Sequence, residues 1–384
     1  MNKLCQGCGS PLTFNVLSQK LHCKTCGSNF DVDKTPNKET EEELLTAADY
    51  MNARIYRCDT CGAEISATKE EVATICVYCG NPTIVFSRIA KSRRPEKMIP
   101  FTITKEKAID IFKKTIKKSK YTPSAMKKID FDLVRGVYIP FYKHNLSSFE
   151  SVSMDTAVNG QQTHFKNNFA AVFDRLLVDA SFRLDDSVSC KLEPYDLTEL
   201  ELFSEDVLYG FYADMADVSV MESREVAHKR AAGVLHREYY RNKICMITDR
   251  KTSHKFNGKS TLIMLPAWFL TYKYKGTSYT VMINGQTGKV IGGVPWSNSK
   301  LALEIIGKAI LVAAPLATAF SFVWKSDFLL AMSGFYALCG MMLSILPLAF
   351  IVASCLRINK LKKRIKSGTD SNLISFANNR QEGL

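Results

Sequence analysis

The sequence predicts an α+β fold in three parts: two small cysteine-rich ribbons, a central mixed α+β cytosolic domain and a C-terminal two-helix transmembrane hairpin. Three observations support this prediction. Eight of the 12 cysteines form four C-x-x-C pairs, residues 91–300 contain both helical and strand patterns, and Ala309–Leu356 holds only two charged residues. A chain of 384 residues is long enough for two or three domains.

The four cysteine pairs form two matched sets. Within each set, 14 residues separate the two pairs, and the second set repeats the first at an offset of 53 residues. A glycine follows every pair, which allows the tight turn that points backbone N–H groups at thiolate sulfurs. The predicted metal ligands are Cys5, Cys8, Cys23 and Cys26 in the first set, and Cys58, Cys61, Cys76 and Cys79 in the second.

Four thiolates at this spacing are typical of a closed structural Zn²⁺ site, so the sequence predicts two zinc ions per chain. No apolar export signal occupies the first residues, which indicates a reducing compartment where such thiols stay free. A redox-active C-x-x-C pair and an iron–sulfur cluster are alternatives, and His22 is an alternative ligand beside Cys23. The matched spacing of four equivalent pairs favours zinc.

The pattern along the chain divides it into six segments. They are ribbon 1 (1–35), an acidic helical linker (36–55), ribbon 2 (56–90), the central α+β domain (91–300), the transmembrane hairpin (301–356) and a basic tail (357–384).

Two helices are predicted in the central domain, over Thr104–Lys120 and Glu222–Tyr240. The first has an apolar face and a basic face, and two interpretations remain open. Its lysines could contact anionic lipid, or the helix could pack on the central domain with a solvated basic face. The lysines concerned are Lys113, Lys114, Lys117 and Lys118.

Alternating strands near Trp268–Tyr274 and Tyr279–Ile283 predict a β-meander. Gly285–Lys289, which partly mimics a phosphate-binding loop, follows the second strand and precedes a third. We interpret it as a hairpin turn because a phosphate loop leads from a strand into a helix.

The apolar segments Ala309–Trp324 and Phe328–Leu356 are each long enough to cross a bilayer, counting the turn before the first. A buried helical pair in a soluble domain is the alternative. Lysines and arginines flank the outer ends of the pair, so the sequence predicts a multi-pass protein of the cell membrane with N- and C-termini in the cytoplasm.

The net charge of +13 does not by itself indicate a nucleic-acid surface. Residues 1–90 carry a net charge of −2, whereas residues 91–130 carry +9 and residues 357–384 carry +5. The cysteine-rich part would therefore repel phosphate mildly, and protein contact is the better prediction. The chain contains no phosphate-loop, metalloprotease or nucleophile-elbow motif, so no catalytic residue and no small-molecule substrate are predicted.

Each cysteine-rich unit resembles the transcription-factor-IIB-type zinc ribbon. The chain also resembles a bacterial zinc-ribbon membrane protein family, often labelled primosomal-helicase-like. The segments that carry this resemblance are Tyr138–Tyr142, Leu192–Asp196, Leu208–Phe211, Leu265–Trp268 and Asn284–Lys289, together with the ribbons and the hairpin. The resemblance implies a membrane-anchored adaptor of envelope-stress systems, with phage-shock-A-like, flotillin-like (SPFH) or TPM-domain proteins as partners.

The predicted function is thus a non-enzymatic, cytoplasm-facing, zinc-binding scaffold that recruits partner proteins to the membrane in an envelope-stress response. A membrane-tethered nucleic-acid-binding regulator is the alternative.

Overall fold

A computed structural model describes most of the first 300 residues. The described residues are 3–32, 50–58, 64–67, 84–118, 122–128, 131, 133–158, 161–181, 186–214, 216–240, 246–275, 277–292, 295, 297, 299–300, 303 and 307.

The described part of the chain forms three α-helices and fifteen strands. The helices are α1 (Lys105–Lys118), α2 (Asp186–Leu192) and α3 (Val220–Tyr240). The strands are β1 (Leu12–Asn15), β2 (Lys20–Cys23), β3 (Asn29–Phe30), β4 (Tyr50–Cys58), β5 (Glu64–Ala67), β6 (Ile84–Arg93), β7 (Lys97–Met98), β8 (Leu133–Val158), β9 (Gln161–Asp179), β10 (Glu201–Leu202), β11 (Tyr212–Ala213), β12 (Met246–Phe256), β13 (Thr261–Tyr274), β14 (Thr277–Asn284) and β15 (Val290–Ile291).

Strands β1, β2 and β3 form a small antiparallel sheet of their own, and the other twelve described strands form one large sheet. The spine of the large sheet is β8, which has 26 residues. Along one edge, β13 pairs with the first half of β8 and β12 with the second half. Along the other edge, β11 pairs near Val137 and β9 pairs from Phe141 onwards.

The central part of the sheet is buried on both faces. Side chains alternate across a strand, so neighbouring residues of β13 enter different cores. Leu265 and Phe269 pack with α2 on one face, whereas Trp268 and Tyr272 pack on the other with α1. The buried indole of Trp268 is satisfied because its Nε1 donates to the carbonyl oxygen of Ile103 at 2.7 Å.

Helix α1 packs on the central domain. Ala108, Phe112 and Ile116 are buried at spacings of four residues and join the core below the sheet. On the opposite face, Lys114 pairs with Asp110 at 2.7 Å. Of the two interpretations of this amphipathic helix, the structure shows the packed one.

The predicted α+β fold class needs correction, because strands dominate the described residues. The largest departure is β8 with β9 and β12, three long strands that are not among the elements predicted above. The predicted helical linker also ends too late, because β4 begins at Tyr50; residues 36–49 lie outside the described residues. Strands β4, β5 and β6, within or beside predicted ribbon 2, join the large sheet through Ala213 of β11 opposite Ser66 of β5.

The predicted transmembrane hairpin over 301–356 is also corrected. Within the ranges that the structure describes, no helix is both long and apolar enough to cross a bilayer. The longest, α3, has charged residues such as Glu222, Arg224 and Lys229 along its length. Apart from Leu303 and Gly307, the segment 301–356 lies outside the described residues. We therefore do not retain the two-span membrane contact, the multi-pass location with cytoplasmic termini, or the lipid contact through Lys113, Lys114, Lys117 and Lys118.

Candidate metal centre

The first cysteine set converges on one point at the end of the β1–β2 hairpin. One ligand atom from each of Cys5, Cys8, Cys23 and Cys26 lies within 4.8 Å of the others, so this cluster could hold a metal ion. The sulfurs of Cys5 and Cys26 are 3.4 Å apart, and those of Cys8 and Cys23 are 3.5 Å apart. A disulfide would need about 2.05 Å, whereas tetrahedral ligation with bonds of about 2.3 Å separates sulfurs by about 3.8 Å. The cluster therefore fits a four-coordinate ion.

The two cysteine pairs have the same local backbone structure. The N–H of Cys5 donates to Ser10 and the N–H of Cys23 donates to Ser28, at 2.8 and 2.9 Å. Gly9 and Gly27 close the two turns with φ of 69° and 77°. Glycine adopts this left-handed conformation without steric cost, which explains why it follows each pair.

The four thiols differ in burial and in the hydrogen bonds that they receive. Cys5 and Cys23 are buried, while Cys8 and Cys26 are exposed. Hydrogen bonds from Ser28 lower the pKa of Cys26 to about 6, and those from Ser10 lower the pKa of Cys8. Burial raises the pKa of Cys5 to about 11. A divalent cation would reverse this last effect, because a coordinating thiol loses its proton to the metal.

His22 does not join the four sulfurs. Its Nδ1 is 2.9 Å from Oδ1 of Asn29, with which it forms a hydrogen bond across β2 and β3. The alternative in which His22 replaces a thiolate is therefore not supported.

The structure tests only part of the second cysteine set. Cys58, at the end of β4, is fully buried and belongs to the core that also contains Val137 and Phe141. Cys61, Cys76 and Cys79 lie outside the described residues. The predicted second metal site therefore stays a prediction.

Ribbon 1, as far as it is described in residues 3–32, is docked on the central domain. The backbone N–H of Phe14 donates to the carbonyl oxygen of Tyr209 at 3.0 Å. Lys3 pairs with the buried Asp206 at 2.6 Å. On the other side of the hairpin, Nε2 of Gln19 donates to the carbonyl oxygen of Phe101 at 2.8 Å.

The segment on which the ribbon docks is Leu208–Phe211, whose sequence signal is limited to the family resemblance described above. Gly210 has φ of 88°, and a Cβ atom at this position would lie 3.8 Å from Cβ of Thr13 in β1. The ring of Phe211 lies 6.4 Å from that of Phe14. Ribbon 1 therefore docks on this segment, and no local sequence pattern could have revealed that role.

The segment Gly285–Lys289 is a turn between β14 and β15, as interpreted from the sequence. Oδ1 of Asn284 accepts the backbone N–H groups of Gln286 and Thr287, and Nδ2 donates to the carbonyls of Leu192 and Pro194. The hydrogen bonds of Asn284 thus connect the turn to the segment around Glu193.

The acidic pair Glu193 and Asp196 is also engaged within the chain. Glu193 pairs with Arg230 of α3 at 2.7 Å, and Asp196 accepts from the backbone N–H of Thr198 at 3.0 Å. Hydrogen bonds from the hydroxyl and then the backbone N–H of Thr198 lower the pKa of Asp196. Both carboxylates are therefore held by contacts within the chain.

Comparison with known proteins gives one extensive similarity. The chain is 29% identical over 322 residues to the uncharacterized protein YdjG of Bacillus subtilis (strain 168), in an alignment that covers 79% of this chain and 93% of that protein. No family model matches the chain, and no solved structure matches it. The resemblance to a zinc-ribbon family therefore stays a prediction.

Proposed function

We propose that the protein is a non-enzymatic adaptor whose zinc-loaded ribbon 1, docked on the central domain, binds a partner protein. The observation that carries this proposal is the closed set of four sulfurs on a hairpin seated against Tyr209. Four thiolates fill every position of a tetrahedral Zn²⁺ ion, which leaves none for a substrate or an activated water. The metal is then structural, and it keeps the ribbon folded.

Zinc is the metal that this donor set favours, since soft thiolates in a tetrahedral arrangement select Zn²⁺ or iron–sulfur clusters. We further propose a second zinc ion held by Cys58, Cys61, Cys76 and Cys79, because their spacing repeats that of the first set.

Charge favours a protein partner over nucleic acid. The described ribbon contains three lysines, of which Lys3 pairs with Asp206 and Lys20 pairs with Asp31 at 2.9 Å. A Zn²⁺ ion with four thiolates adds a net charge of about −2. Phosphate would therefore meet little positive charge on this module.

Two exposed leucines offer an apolar contact. Leu17, at the tip of the β1–β2 hairpin, is 80% exposed, and Leu4, beside the metal ligands, is 54% exposed. We propose that these two side chains take part in the contact with the partner.

The test is capture of partners by the full-length tagged chain, followed by binding of the purified partner. We expect Leu17→Ser to weaken binding without loss of zinc, and Cys23→Ser combined with Cys26→Ser to abolish it. The matched control is Val172→Ser on β9, where an equally exposed apolar residue is removed from another surface.

Unchanged partner affinity in the double cysteine variant would refute the adaptor proposal. A salt-dependent shift of DNA by the purified chain would instead support the nucleic-acid alternative.

A further inference from the structure

A chain of directed hydrogen bonds runs beneath the N-terminal half of α3. The hydroxyl of Ser223 donates to the carbonyl oxygen of Val220 at 2.8 Å, so its oxygen accepts from Nε2 of His144 at 3.1 Å. Nε of Arg224 donates to Oγ of Ser260 at 3.1 Å. Oγ of Ser260 lies 2.9 Å from Nδ1 of His144. In the neutral imidazole with its proton on Nε2, Nδ1 is an acceptor and the hydroxyl of Ser260 is its donor.

Two further imidazoles stack at the same interface. The ring centroids of His228 on α3 and His254 on β12 are 4.4 Å apart, with an angle of 16° between the planes. The ring of Phe256 lies 4.9 Å from that of His228. Nε2 of His228 and Nδ1 of His254 are buried and have no hydrogen-bond partner among the described residues. A proton gained at either nitrogen would have no acceptor.

Two arginines and two acids face the three rings. Arg224 of α3 faces His144 and His228, and Arg250 of β12 faces His254. Of the two acids, Glu150 of β8 is buried, faces His254 and is paired with Arg250 through Oε1, while its Oε2 has no hydrogen-bond partner among the described residues. The other, Glu225, faces His228 from an exposed position on α3.

Strand β9 contributes apolar side chains to this interface, including Phe173 and Leu176, and the carbonyl oxygen of Leu177. That carbonyl accepts from Arg230 of α3, whose guanidinium is also paired with Glu193.

This environment disfavours the protonated rings. Burial lowers the pKa of His144 to about 4, and the positive charge of Arg224, together with that of His228 when it is protonated, acts in the same direction. Burial is also the main cause of the lowered pKa of His228 and of His254.

The rings hold α3 over an apolar surface. Ala227 and Ala231 of the helix pack against Leu146 and Val178 of the sheet, with Phe256 at the edge. We propose that α3 is an acid-released cover, held on the β8–β9–β12 surface by the neutral imidazoles of His144, His228 and His254. Proton uptake by these rings frees the helix and exposes the apolar surface beneath it.

The difference in histidine pKa between the closed and open states determines how the opening equilibrium of α3 changes with pH. A histidine whose pKa is lower in the closed state stabilises that state fully above the ordinary pKa of about 6.5, and this stabilisation is lost as the pH falls towards the closed-state pKa. For His144 alone, with a closed-state pKa of about 4, the opening equilibrium constant rises about 30-fold between pH 8 and pH 5.

Hydrogen–deuterium exchange of the full-length, zinc-loaded chain tests the proposal. After division by the intrinsic exchange rate at each pH, the opening constant of α3 amides should rise at least tenfold from pH 8 to pH 5. In the variant His144→Gln, His228→Phe, His254→Phe, we expect a rise of less than threefold. Glutamine can keep both hydrogen bonds of His144, and phenylalanine can keep the stack.

The control variant is His164→Gln, which removes an exposed histidine paired with Asp155 and should leave the acid response of α3 unchanged. Amides of residues 3–32 are followed in the same experiment, because acid also releases metal from thiolates. A rise below tenfold in the natural chain, or a rise of threefold or more in the triple variant, overturns the proposal.

If the triple variant does not fold at pH 8, titration of the natural chain by NMR decides. The proposal requires all three imidazoles to titrate below pH 6.5, together with loss of α3 protection. Titration of any of them at or above pH 6.5 overturns it.

Discussion

The backbone N–H of Phe14 donates to the carbonyl oxygen of Tyr209, so the cysteine hairpin and the central domain share a hydrogen bond across 195 residues of sequence. The bond is 3.0 Å long, and the Lys3–Asp206 ion pair lies on the same contact. The ribbon is therefore held in a fixed position on the central domain. Loss of the metal would disturb the contact as well as the ribbon.

Replacing Gly210 by alanine should weaken this contact. Gly210 has φ of 88°, a conformation that costs an alanine about 1–2 kcal/mol. We expect the free energy of unfolding to fall by about that amount, with faster hydrogen exchange in β1. Chemical denaturation and hydrogen exchange would measure the two effects.

The matched control is Gly233→Ala in α3. A Cβ atom at Gly233 would meet no atom within 4 Å, so this change should stabilise the protein by up to about 1 kcal/mol. Equal destabilisation by both changes would contradict the role assigned to Gly210.

Replacing Cys5 and Cys8 by serine should remove one zinc ion and leave one. The natural chain is expected to contain two zinc ions, because its two cysteine sets have the same spacing. Native mass spectrometry and elemental analysis would count the ions. The double variant should also lose hydrogen-exchange protection in β1 and β2.

Cys190→Ser serves as the control and should retain two ions, because Cys190 belongs to neither cysteine set. A natural chain with a single zinc ion that the Cys5 and Cys8 double variant loses would disprove the second site but not the first. A metal-free natural chain would disprove both.

Local patterns predicted those elements whose signal lies within a short stretch of sequence. The meander of β13, β14 and β15 is present, and α1 and α3 begin and end within two residues of the predicted positions. The four sulfurs of the first set converge as their spacing indicated.

Contacts between distant segments could not be predicted in this way. The second half of β8 contains many polar residues, such as Ser147 and Ser151, and it is a strand because β9 and β12 pair with it on both sides. The docking of the ribbon at Tyr209 likewise depends on a contact between segments far apart in sequence. The transmembrane prediction relied on hydropathy alone and found no support in the described helices.

Asn284→Asp should be strongly destabilising. The fully buried amide donates to two carbonyl oxygens, of Leu192 and Pro194, at 2.9 and 3.2 Å. A carboxylate would place negative charge against both acceptors, so we expect a loss of about 2–4 kcal/mol in the free energy of unfolding. Thermal or chemical denaturation would measure it.

Asn257→Asp provides a comparison on the surface. Its amide is exposed and donates to the hydroxyl of Ser147 at 2.8 Å, so we expect a change within about 0.5 kcal/mol. If Asn284→Asp were as mild as this control, the turn would not be the structural clamp that its hydrogen bonds indicate.

Acid should weaken the beginning of α3 through Glu222. The backbone N–H of Ser219 donates to this carboxylate at 2.8 Å, and the N–H of Glu222 donates to the hydroxyl of Ser219 at 3.2 Å. This reciprocal pair is a capping box, and its hydrogen bonds lower the pKa of Glu222 below the ordinary value of 4.5. The stabilisation is therefore complete above pH 4.5 and is lost as the pH falls through the lower folded-state pKa.

Ser219→Ala should cost about 1 kcal/mol of stability at pH 7, because it removes the acceptor for the N–H of Glu222. Glu222→Gln should remove the part of the pH dependence that lies below pH 4.5. Denaturation between pH 7 and pH 3 measures both effects, with Asp249→Asn, an exposed carboxylate on β12, as the control. An unchanged acid slope in Glu222→Gln would show that the capping carboxylate does not contribute to it. The slope would then have to arise from other groups, such as the histidines beneath the same helix.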